Sequence, residues 1–318
     1  MLTAIFLLII GLVMLVFGGE YLVKGAASSA KKWGVSTLVV GLTVVAFGTS
    51  MPELVVNIFS AFKGATDLAV GNIIGSNISN IFLILGVSAL ICPLLVKEST
   101  TWKEIPFAIL AGWMILFMGN DIFFDGLKEN VLTRTDGLAL IAVFIIFLYY
   151  VFNLAKNGAV EQEEVQVFTW ARSIIFLLAG IGLLFLGGKI LVDNAIILAR
   201  LAGMSEALIG LTIVAVGTSL PELVTSAVAA YRKQADIAVG NIVGSNIFNI
   251  FWILGITSII KPLPFNSGMN FDILAEIIAT LILFLFLFIG TKKRLDRWQG
   301  VAFIVMYIAY ISFLIYRG

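Results

Sequence analysis

The stretch FGTSMPELV, residues 47–55, places a glycine, two hydroxyl residues, a proline and a carboxylate inside a long apolar segment. The same combination returns as VGTSLPELV, residues 216–224. Residues 41–93 align without a gap with residues 210–262, and 31 of these 53 positions are identical. The chain is therefore an internal duplication, and both copies keep the unusual polar residues.

The composition is that of an integral membrane protein. Of the 318 residues, 60% are hydrophobic and 12% are charged, whereas soluble domains contain about 25% charged residues. The net charge of +1 gives no indication of a nucleic acid partner. The chain contains no histidine, which is the commonest transition-metal ligand, and its single cysteine, Cys92, excludes an intramolecular disulfide. Residues 1–23 lack a cleavage site and are interpreted as a retained first helix rather than a signal peptide.

The apolar segments have the length of helices that cross a bilayer. We predict an all-α membrane protein with ten spans, at about residues 2–23, 38–62, 68–92, 105–119, 137–155, 173–192, 206–231, 237–260, 271–290 and 300–316. Five spans separate equivalent points of the two copies, so the second copy is expected to enter the membrane from the opposite side. Such inverted repeats are typical of secondary transporters.

The predicted domain organisation follows from this duplication. The first repeat is residues 1–155, the second is residues 170–318, and residues 156–169 form a short polar linker in the cytoplasm. With the N terminus outside, the inner segments carry thirteen Lys and Arg residues and the outer segments carry seven. The positive-inside rule therefore predicts that both termini are extracellular.

The two prolines are expected to interrupt their spans. Proline has no amide hydrogen to donate and crowds the carbonyl four residues earlier, so Pro52 and Pro221 should break each helix and free carbonyls just before them. Irregular backbone within a membrane is tolerated where it lines a cavity or is buried in protein. The carbonyls that we expect to lose their helical partners belong to Ala46, Phe47, Gly48, Thr49, Ala215, Val216, Gly217 and Thr218.

Glu53 and Glu222 follow the prolines directly. A charged side chain at the centre of a bilayer costs about 2.5–3.5 kcal/mol on insertion scales. No Lys or Arg is predicted at the same depth in either half, so a bound cation is the expected source of positive charge. The GSN motifs of the following spans add hydroxyl and amide oxygens, and such an all-oxygen set suits Ca²⁺ and Na⁺. The alternatives are that the prolines are simple kinks and that the asparagines only connect helices.

The duplicated GTSxPE and GSNI motifs resemble the alpha repeats of the Ca²⁺/cation antiporter superfamily, and in particular microbial sodium/calcium exchangers. The resemblance covers the whole chain. It implies a ten-helix fold with ion sites at mid-membrane between spans 2, 3, 7 and 8, and a sliding bundle of spans 1 and 6. By position in the motifs, the implied ligands are the carboxylates of Glu53 and Glu222, the side chains of Ser50, Ser76, Ser219, Ser245, Asn80 and Asn249, and the carbonyls of Ala46, Thr49, Ala215 and Thr218.

One position departs from part of that superfamily. Some members, including potassium-dependent animal exchangers, carry Asp where Asn249 stands, so the resemblance argues against potassium co-transport here. The long regulatory loop of animal exchangers is also missing. The expected protein is a prokaryotic cell-membrane transporter of Ca²⁺ and Na⁺ without a cofactor or a protein partner.

The sequence is compatible with more than one function. Na⁺-driven Ca²⁺ exchange is favoured, because serine hydroxyls suit Na⁺. We expect this exchange to be electrogenic. An H⁺-coupled antiporter is the alternative, since glutamate can carry protons. The inverted repeat argues against a channel. An intramembrane hydrolase is disfavoured, because the sequence offers no nucleophile with a neighbouring general base.

The first and sixth spans carry Gly18–Gly19 and Gly187–Gly188, which are interpreted either as flexible points of a gate or as sites of close helix packing. Glu20 and Lys189 follow these pairs at equivalent positions. The inverted topology places the two side chains at opposite faces, so we predict that they do not pair.

Overall fold

The structure, a computed structural model, describes residues 2–64, 66–124, 126–157, 166–201 and 215–317. Almost all of these residues are helical. The helices are α1 (Leu2–Trp33), α2 (Thr37–Thr49), α3 (Met51–Lys63), α4 (Thr66–Ser79, continued by Asn80–Leu85 and Gly86–Ile91), α5 (Thr100–Met118), α6 (Asp121–Phe124), α7 (Arg134–Asn157), α8 (Trp170–Leu201), α9 (Ala215–Thr218), α10 (Leu220–Tyr231), α11 (Ala235–Ile260), α12 (Asn270–Phe286, preceded by the 3₁₀ turn Ser267–Met269) and α13 (Arg297–Arg317). The strands are β1 (Leu94–Leu95), β2 (Val131–Leu132), β3 (Leu263–Pro264) and β4 (Arg294–Leu295).

Eight of the described helices are long and apolar enough to cross a membrane, and the bent pair of α2 and α3 meets the same criterion when the two helices are taken together. The chain is therefore a multi-pass membrane protein. The predicted seventh span, 206–231, lies partly outside the described residues, which contain its second part as α9 and α10. The predicted linker, 156–169, also lies mostly outside them. The count of ten spans stays a prediction.

Two long helices extend beyond their predicted ends. The first span was expected to end near residue 23, but α1 continues to Trp33. Its additional turns are buried, because the small residues from Gly25 to Ala30 pack inside the protein. Helix α8 likewise runs from Trp170 to Leu201, whereas the prediction was 173–192. Hydropathy detects the part of a helix that lipid surrounds, and it does not detect extensions that protein contacts stabilise.

Helices α1 and α8 pack against each other through glycines. A Cβ atom on Gly18 would lie 2.9 Å from the amide nitrogen of Leu184, and one on Gly180 would lie 2.6 Å from that of Leu22. Both helices continue without a break through their glycine pairs. The structure thus supports close packing as the role of Gly18 and Gly187, and bending at these points stays a prediction.

The centre of the protein is formed by α4 and α11. The most apolar part of α4 is 78% buried and that of α11 is 83% buried, whereas the corresponding values for the other long helices are 17–39%. The peripheral helices direct side chains such as Phe6, Phe59 and Val305 outward, as a lipid-facing surface requires. Polar groups on α4 and α11 are therefore shielded from lipid.

Both central helices contain π-helical turns. In α4 the π-helical segment is Asn80–Leu85, and in α11 it is Phe248–Leu254. Such turns widen the helix and are frequent at functional sites. Asn80 begins the first segment and Asn249 lies in the second, so these two predicted ligands occupy equivalent backbone positions.

Two short antiparallel strand pairs connect the halves of the chain. Strand β1 pairs with β4, with Leu94 opposite Leu295, and β2 pairs with β3, with Val131 opposite Pro264. In each pair one strand comes from each half. Both pairs also join loops that the predicted topology places on the same side of the membrane.

Candidate cation-binding site

The backbone breaks at equivalent serines in the two halves. Ser50 has φ −84° and ψ 6°, and Ser219 has φ −85° and ψ 5°. A proline follows in the first turn of the next helix in both cases, and the axis bends by 45° between α2 and α3. The predicted interruption of both helices is therefore present. The break also places Glu53 and Glu222 in the first turn of α3 and α10, where the helix dipole favours a negative charge.

One expectation about the free carbonyls is wrong. The carbonyl of Ala46 keeps its helical partner, because it accepts a hydrogen bond of 3.0 Å from the amide of Ser50. It also accepts the hydroxyl of Thr49 at 3.3 Å. Proline lacks a donor only for the carbonyl four residues earlier, which is that of Gly48, so the effect of Pro52 is more local than we predicted. A carbonyl has two lone pairs, and the second lone pair of Ala46 is available to an ion when the single hydroxyl proton of Thr49 is donated to Asn241 instead.

The two carboxylates lie in the protein interior, each 1% exposed. Glu222 accepts hydrogen bonds on Oε1 from Ser50 at 3.0 Å and from Ser245 at 3.4 Å. Glu53 accepts one on Oε1 from Ser76 at 3.4 Å. Among the described residues, neither carboxylate forms a salt bridge with Lys or Arg, as we predicted for this depth.

The serine hydroxyls connect the two halves of the site. Ser219 donates a hydrogen bond of 3.1 Å to Ser76, which in turn donates to Glu53. The threonine hydroxyls add a second reciprocal pair. Thr49 donates to Oδ1 of Asn241 at 3.0 Å and Thr218 donates to Oδ1 of Asn72 at 3.3 Å.

The asparagines form a cluster between α4 and α11. Asn80 donates to Oδ1 of Asn246 at 2.9 Å, and Asn249 donates to Oδ1 of Asn77 at 3.0 Å. The amides of Asn77 and Asn246 each donate to the main-chain carbonyl of the other, at 3.4 and 3.3 Å. All four side chains are at most 1% exposed. The cluster thus holds the amides of Asn80 and Asn249 in defined orientations.

Four buried oxygens, two at matching positions in each repeat, have no hydrogen-bond donor among the described residues. They are Oε2 of Glu53, Oε2 of Glu222, Oδ1 of Asn80 and Oδ1 of Asn249. Buried polar atoms are nearly always paired, and an unpaired one costs about 1–3 kcal/mol. Two carboxylate and two amide oxygens match the ligand chemistry of a hard cation, and the residues present therefore fit Ca²⁺ or Na⁺.

The twelve predicted ligands divide into three groups in the structure. The first group has eight members in three sets of hydrogen bonds: Glu222 with Ser50 and Ser245, Glu53 with Ser76 and Ser219, and Asn80 and Asn249 with the asparagines between them. The second group is Thr49, Ala46 and Thr218: Thr49 contacts Asn241 and the carbonyl of Ala46, and Thr218 contacts Asn72. Ala215 is placed only as the first residue of α9.

The ligand list omitted three kinds of residue that the structure connects to the site. Asn72 and Asn241 partner the threonines, and Asn77 and Asn246 hold the two central amides. These four belong to the duplicated GN and GSN motifs, so the repeat contained their signal. Glu276 also contacts Asn77. The only sign of Glu276 in the sequence was a single acidic residue in an apolar span. The equivalent position of the first repeat, 169 residues earlier, is Phe107 and carries no acid.

The charged residues that follow the glycine pairs of α1 and α8 form separate ion pairs. Glu20 forms salt bridges with Lys24 at 2.8 Å and with Arg232, whereas Lys189 pairs with Asp193 at 2.8 Å. The prediction that Glu20 and Lys189 do not pair is therefore confirmed.

Comparison with known proteins identifies relatives of this chain. The family described as "Sodium/calcium exchanger protein" matches residues 3–153 and 172–316. The sodium/calcium exchanger MaX1 of Methanosarcina acetivorans is 33% identical over 357 residues, which cover 99% of this chain and 100% of that protein. The inner membrane protein YrbG of Escherichia coli K12 is 36% identical over 297 residues, 89% of each chain. A solved structure of the sodium-calcium exchanger NCX_Mj superposes with a TM-score of 0.83 at 33% identity and covers 98% of both chains.

Proposed function

Because this chain belongs to the sodium/calcium exchanger family, we propose that it is a secondary active transporter that exchanges Na⁺ for Ca²⁺ across the cell membrane. The observation that carries the proposal is the set of four buried oxygens without donors on Glu53, Glu222, Asn80 and Asn249. Two carboxylates balance one Ca²⁺, and the surrounding serine hydroxyls are suitable Na⁺ ligands. The ions would take turns at one shared site, and this sharing is what couples their movements.

The proposed architecture is ten spans in two inverted five-helix repeats. It is supported by the 31 identities between residues 41–93 and 210–262. It is also supported by the reciprocal hydrogen bonds of the two halves, such as Thr49 with Asn241 and Thr218 with Asn72. Alternating access would then consist of a movement of α1 and α8 past the centre formed by α4 and α11, with both termini outside.

Charge balance makes the exchange electrogenic in this proposal. The site contains two carboxylates, because Asn80 and Asn249 are neutral. A state loaded with more than two Na⁺ carries a net positive charge, so an inside-negative potential drives Na⁺ entry and Ca²⁺ exit. One net charge corresponds to about 2.3 kcal/mol per 100 mV, or roughly a 50-fold change in the ion ratio at equilibrium. Clamping the potential with K⁺ and valinomycin measures this term directly, and exchange that does not respond to the clamp would exclude it.

The coupling ion is tested by ⁴⁵Ca²⁺ uptake into proteoliposomes that contain the purified protein. The vesicles are loaded with Na⁺, with K⁺, or with an acidic buffer that provides a pH gradient. We expect rapid uptake only with internal Na⁺. Uptake driven by the pH gradient alone would instead support the H⁺-coupled antiporter, which the glutamates also permit. Uptake without any counter-ion gradient would indicate a channel.

A further inference from the structure

Glu276 lies near the middle of α12 and is fully buried. Its Oε1 atom accepts a hydrogen bond of 3.5 Å from Nδ2 of Asn77. Among the described residues, its Oε2 atom has no donor and no Lys or Arg forms a salt bridge with it. A carboxylate in this position is costly in a membrane protein, and such residues usually have a function.

The neighbouring helix leaves space for this carboxylate. Helices α5 and α12 pack together, and Gly112 of α5 faces the side chain of Glu276. A Cβ atom at position 112 would collide with Oε2 of Glu276 and would lie 2.6 Å from Cγ1 of Ile277. Gly112 therefore permits Glu276 to point toward α4, where Asn77 lies.

A chain of amides connects Glu276 with the candidate cation site. Asn77 uses its amide hydrogens for Glu276 and for the carbonyl of Asn246. Its Oδ1 atom then accepts a hydrogen bond of 3.0 Å from Nδ2 of Asn249. With its amide nitrogen engaged in this way, Asn249 presents Oδ1, which has no donor.

The direction of this chain depends on the acceptor at its end. Oε1 of Glu276 accepts a hydrogen bond from Asn77, so Glu276 favours the orientation in which the NH₂ group of Asn77 faces it. If Asn77 turned by 180°, two NH₂ groups would face each other and Asn249 would have to turn as well. The NH₂ group of Asn249 would then take the place of Oδ1, the atom that we propose contacts the cation. Partners that orient metal ligands typically change affinity by about 10–100-fold when they are removed.

We infer that Glu276 is a positioning residue that acts through Asn77 and directs Oδ1 of Asn249 at the transported cation; this role rests on the proposed function. In the other half, Asn246 donates to the main-chain carbonyl of Asn77, just as Asn77 donates to that of Asn246. Glu276 is an additional acceptor for Asn77, so both amide hydrogens of Asn77 are engaged.

The experiment compares Ca²⁺ affinity in Glu276→Gln and Glu276→Met by equilibrium ⁴⁵Ca²⁺ binding to the purified full-length protein. Glutamine keeps a carbonyl acceptor, whereas methionine has a similar size and no acceptor. We expect Glu276→Gln to stay within about threefold of the wild type and Glu276→Met to bind about 10–100-fold more weakly. Equal affinity of wild type and Glu276→Met would overturn the inference. An equal loss in both variants would also overturn it, since the negative charge and not the orientation would then be the cause.

Coupling separates positioning from a general effect on folding. In an Asn249→Ala background, Glu276→Met should reduce Ca²⁺ affinity no further, because the ligand that it orients is absent. A full additional loss in that background would contradict the assigned role. Glu104→Met is the matched control, since Glu104 is also a buried carboxylate and contacts Tyr150 instead of the amide cluster. A wild-type protein that fails to bind Ca²⁺ would overturn the proposed function together with this inference, whereas the comparisons above test the inference alone.

Discussion

The hydroxyl of Ser50 donates a hydrogen bond of 3.0 Å to Oε1 of Glu222, although the two residues lie in different halves of the chain. The hydroxyl occupies one carboxylate oxygen and leaves Oε2 without a donor. Ser50, at the break between α2 and α3, thus contacts Glu222, which follows the equivalent break between α9 and α10. Each half of the duplication supplies a hydroxyl to the hydrogen bonds around the glutamate of the other half.

Replacing Ser50 by alanine should weaken Ca²⁺ binding. The substitution removes the 3.0 Å hydrogen bond that orients Glu222, and a loss of about 10-fold or more in affinity is expected for a lost partner of a buried ligand. Isothermal titration of the purified protein measures it. Ser312→Ala is the control, because Ser312 is exposed and bonds only to the carbonyl of Ile308. Affinity in Ser50→Ala equal to that of the control would show that this hydrogen bond does not serve ion binding.

Glu53→Gln and Glu222→Gln should each abolish exchange and leave the protein folded. Each removes one of the two charges that a divalent ion requires, and a neutral amide is easier to bury in a membrane than a carboxylate. Calcium flux in proteoliposomes and thermal unfolding in detergent measure the two effects. Glu98→Gln should retain activity, because Glu98 is an exposed carboxylate that pairs with Lys293. Wild-type flux in either site variant would remove that residue from the proposed ligand set.

The salt bridge between Glu20 and Arg232 should slow transport. It connects α1, which is proposed to move together with α8, with the end of α10, which is not part of that moving pair. Both side chains are about one-third exposed, so the pair contributes at most about 1 kcal/mol. Removing it with Arg232→Gln should therefore raise the exchange rate by up to about 5-fold without a change in Ca²⁺ affinity. Lys189→Gln breaks only the local pair with Asp193 and should leave the rate unaltered, and an identical response of both variants would exclude a role for the bridge between helices.

The packing of α1 on α8 should be sensitive to a single methyl group. A Cβ at Gly180 would lie 2.6 Å from the amide nitrogen of Leu22 and 2.9 Å from the carbonyl of Gly18. Gly180→Ala should therefore lower the free energy of unfolding by about 1–3 kcal/mol, the usual cost of overpacking. Gly182→Ala is the matched control, because a Cβ there meets no atom of the described residues within 4 Å. Equal melting temperatures for the two variants would show that this contact is not tight.

Sequence reasoning was most successful for the structure around the duplicated residues. The GTSxPE motifs predicted the interrupted helices and both central glutamates, because proline geometry and the cost of a buried charge are local properties of the sequence. It was less successful where long-range packing decides. The extended end of α1 depends on contacts with α8. The carbonyl of Ala46 keeps its hydrogen bond from the amide of Ser50, because Pro52 does not affect that amide. Glu276 has no duplicated counterpart, so only the three-dimensional structure connects it with Asn77.

The most direct test of the central claim is competition between Na⁺ and Ca²⁺ for the purified protein. An exchanger with one shared site requires the two ions to exclude each other, whereas a protein with separate sites does not. Bound ⁴⁵Ca²⁺ is measured at equilibrium while Na⁺ replaces choline at constant ionic strength. We predict complete displacement by Na⁺ with a Hill coefficient above one, because several Na⁺ ions replace one Ca²⁺, and no displacement by K⁺. Calcium binding that stays constant as Na⁺ rises would contradict it.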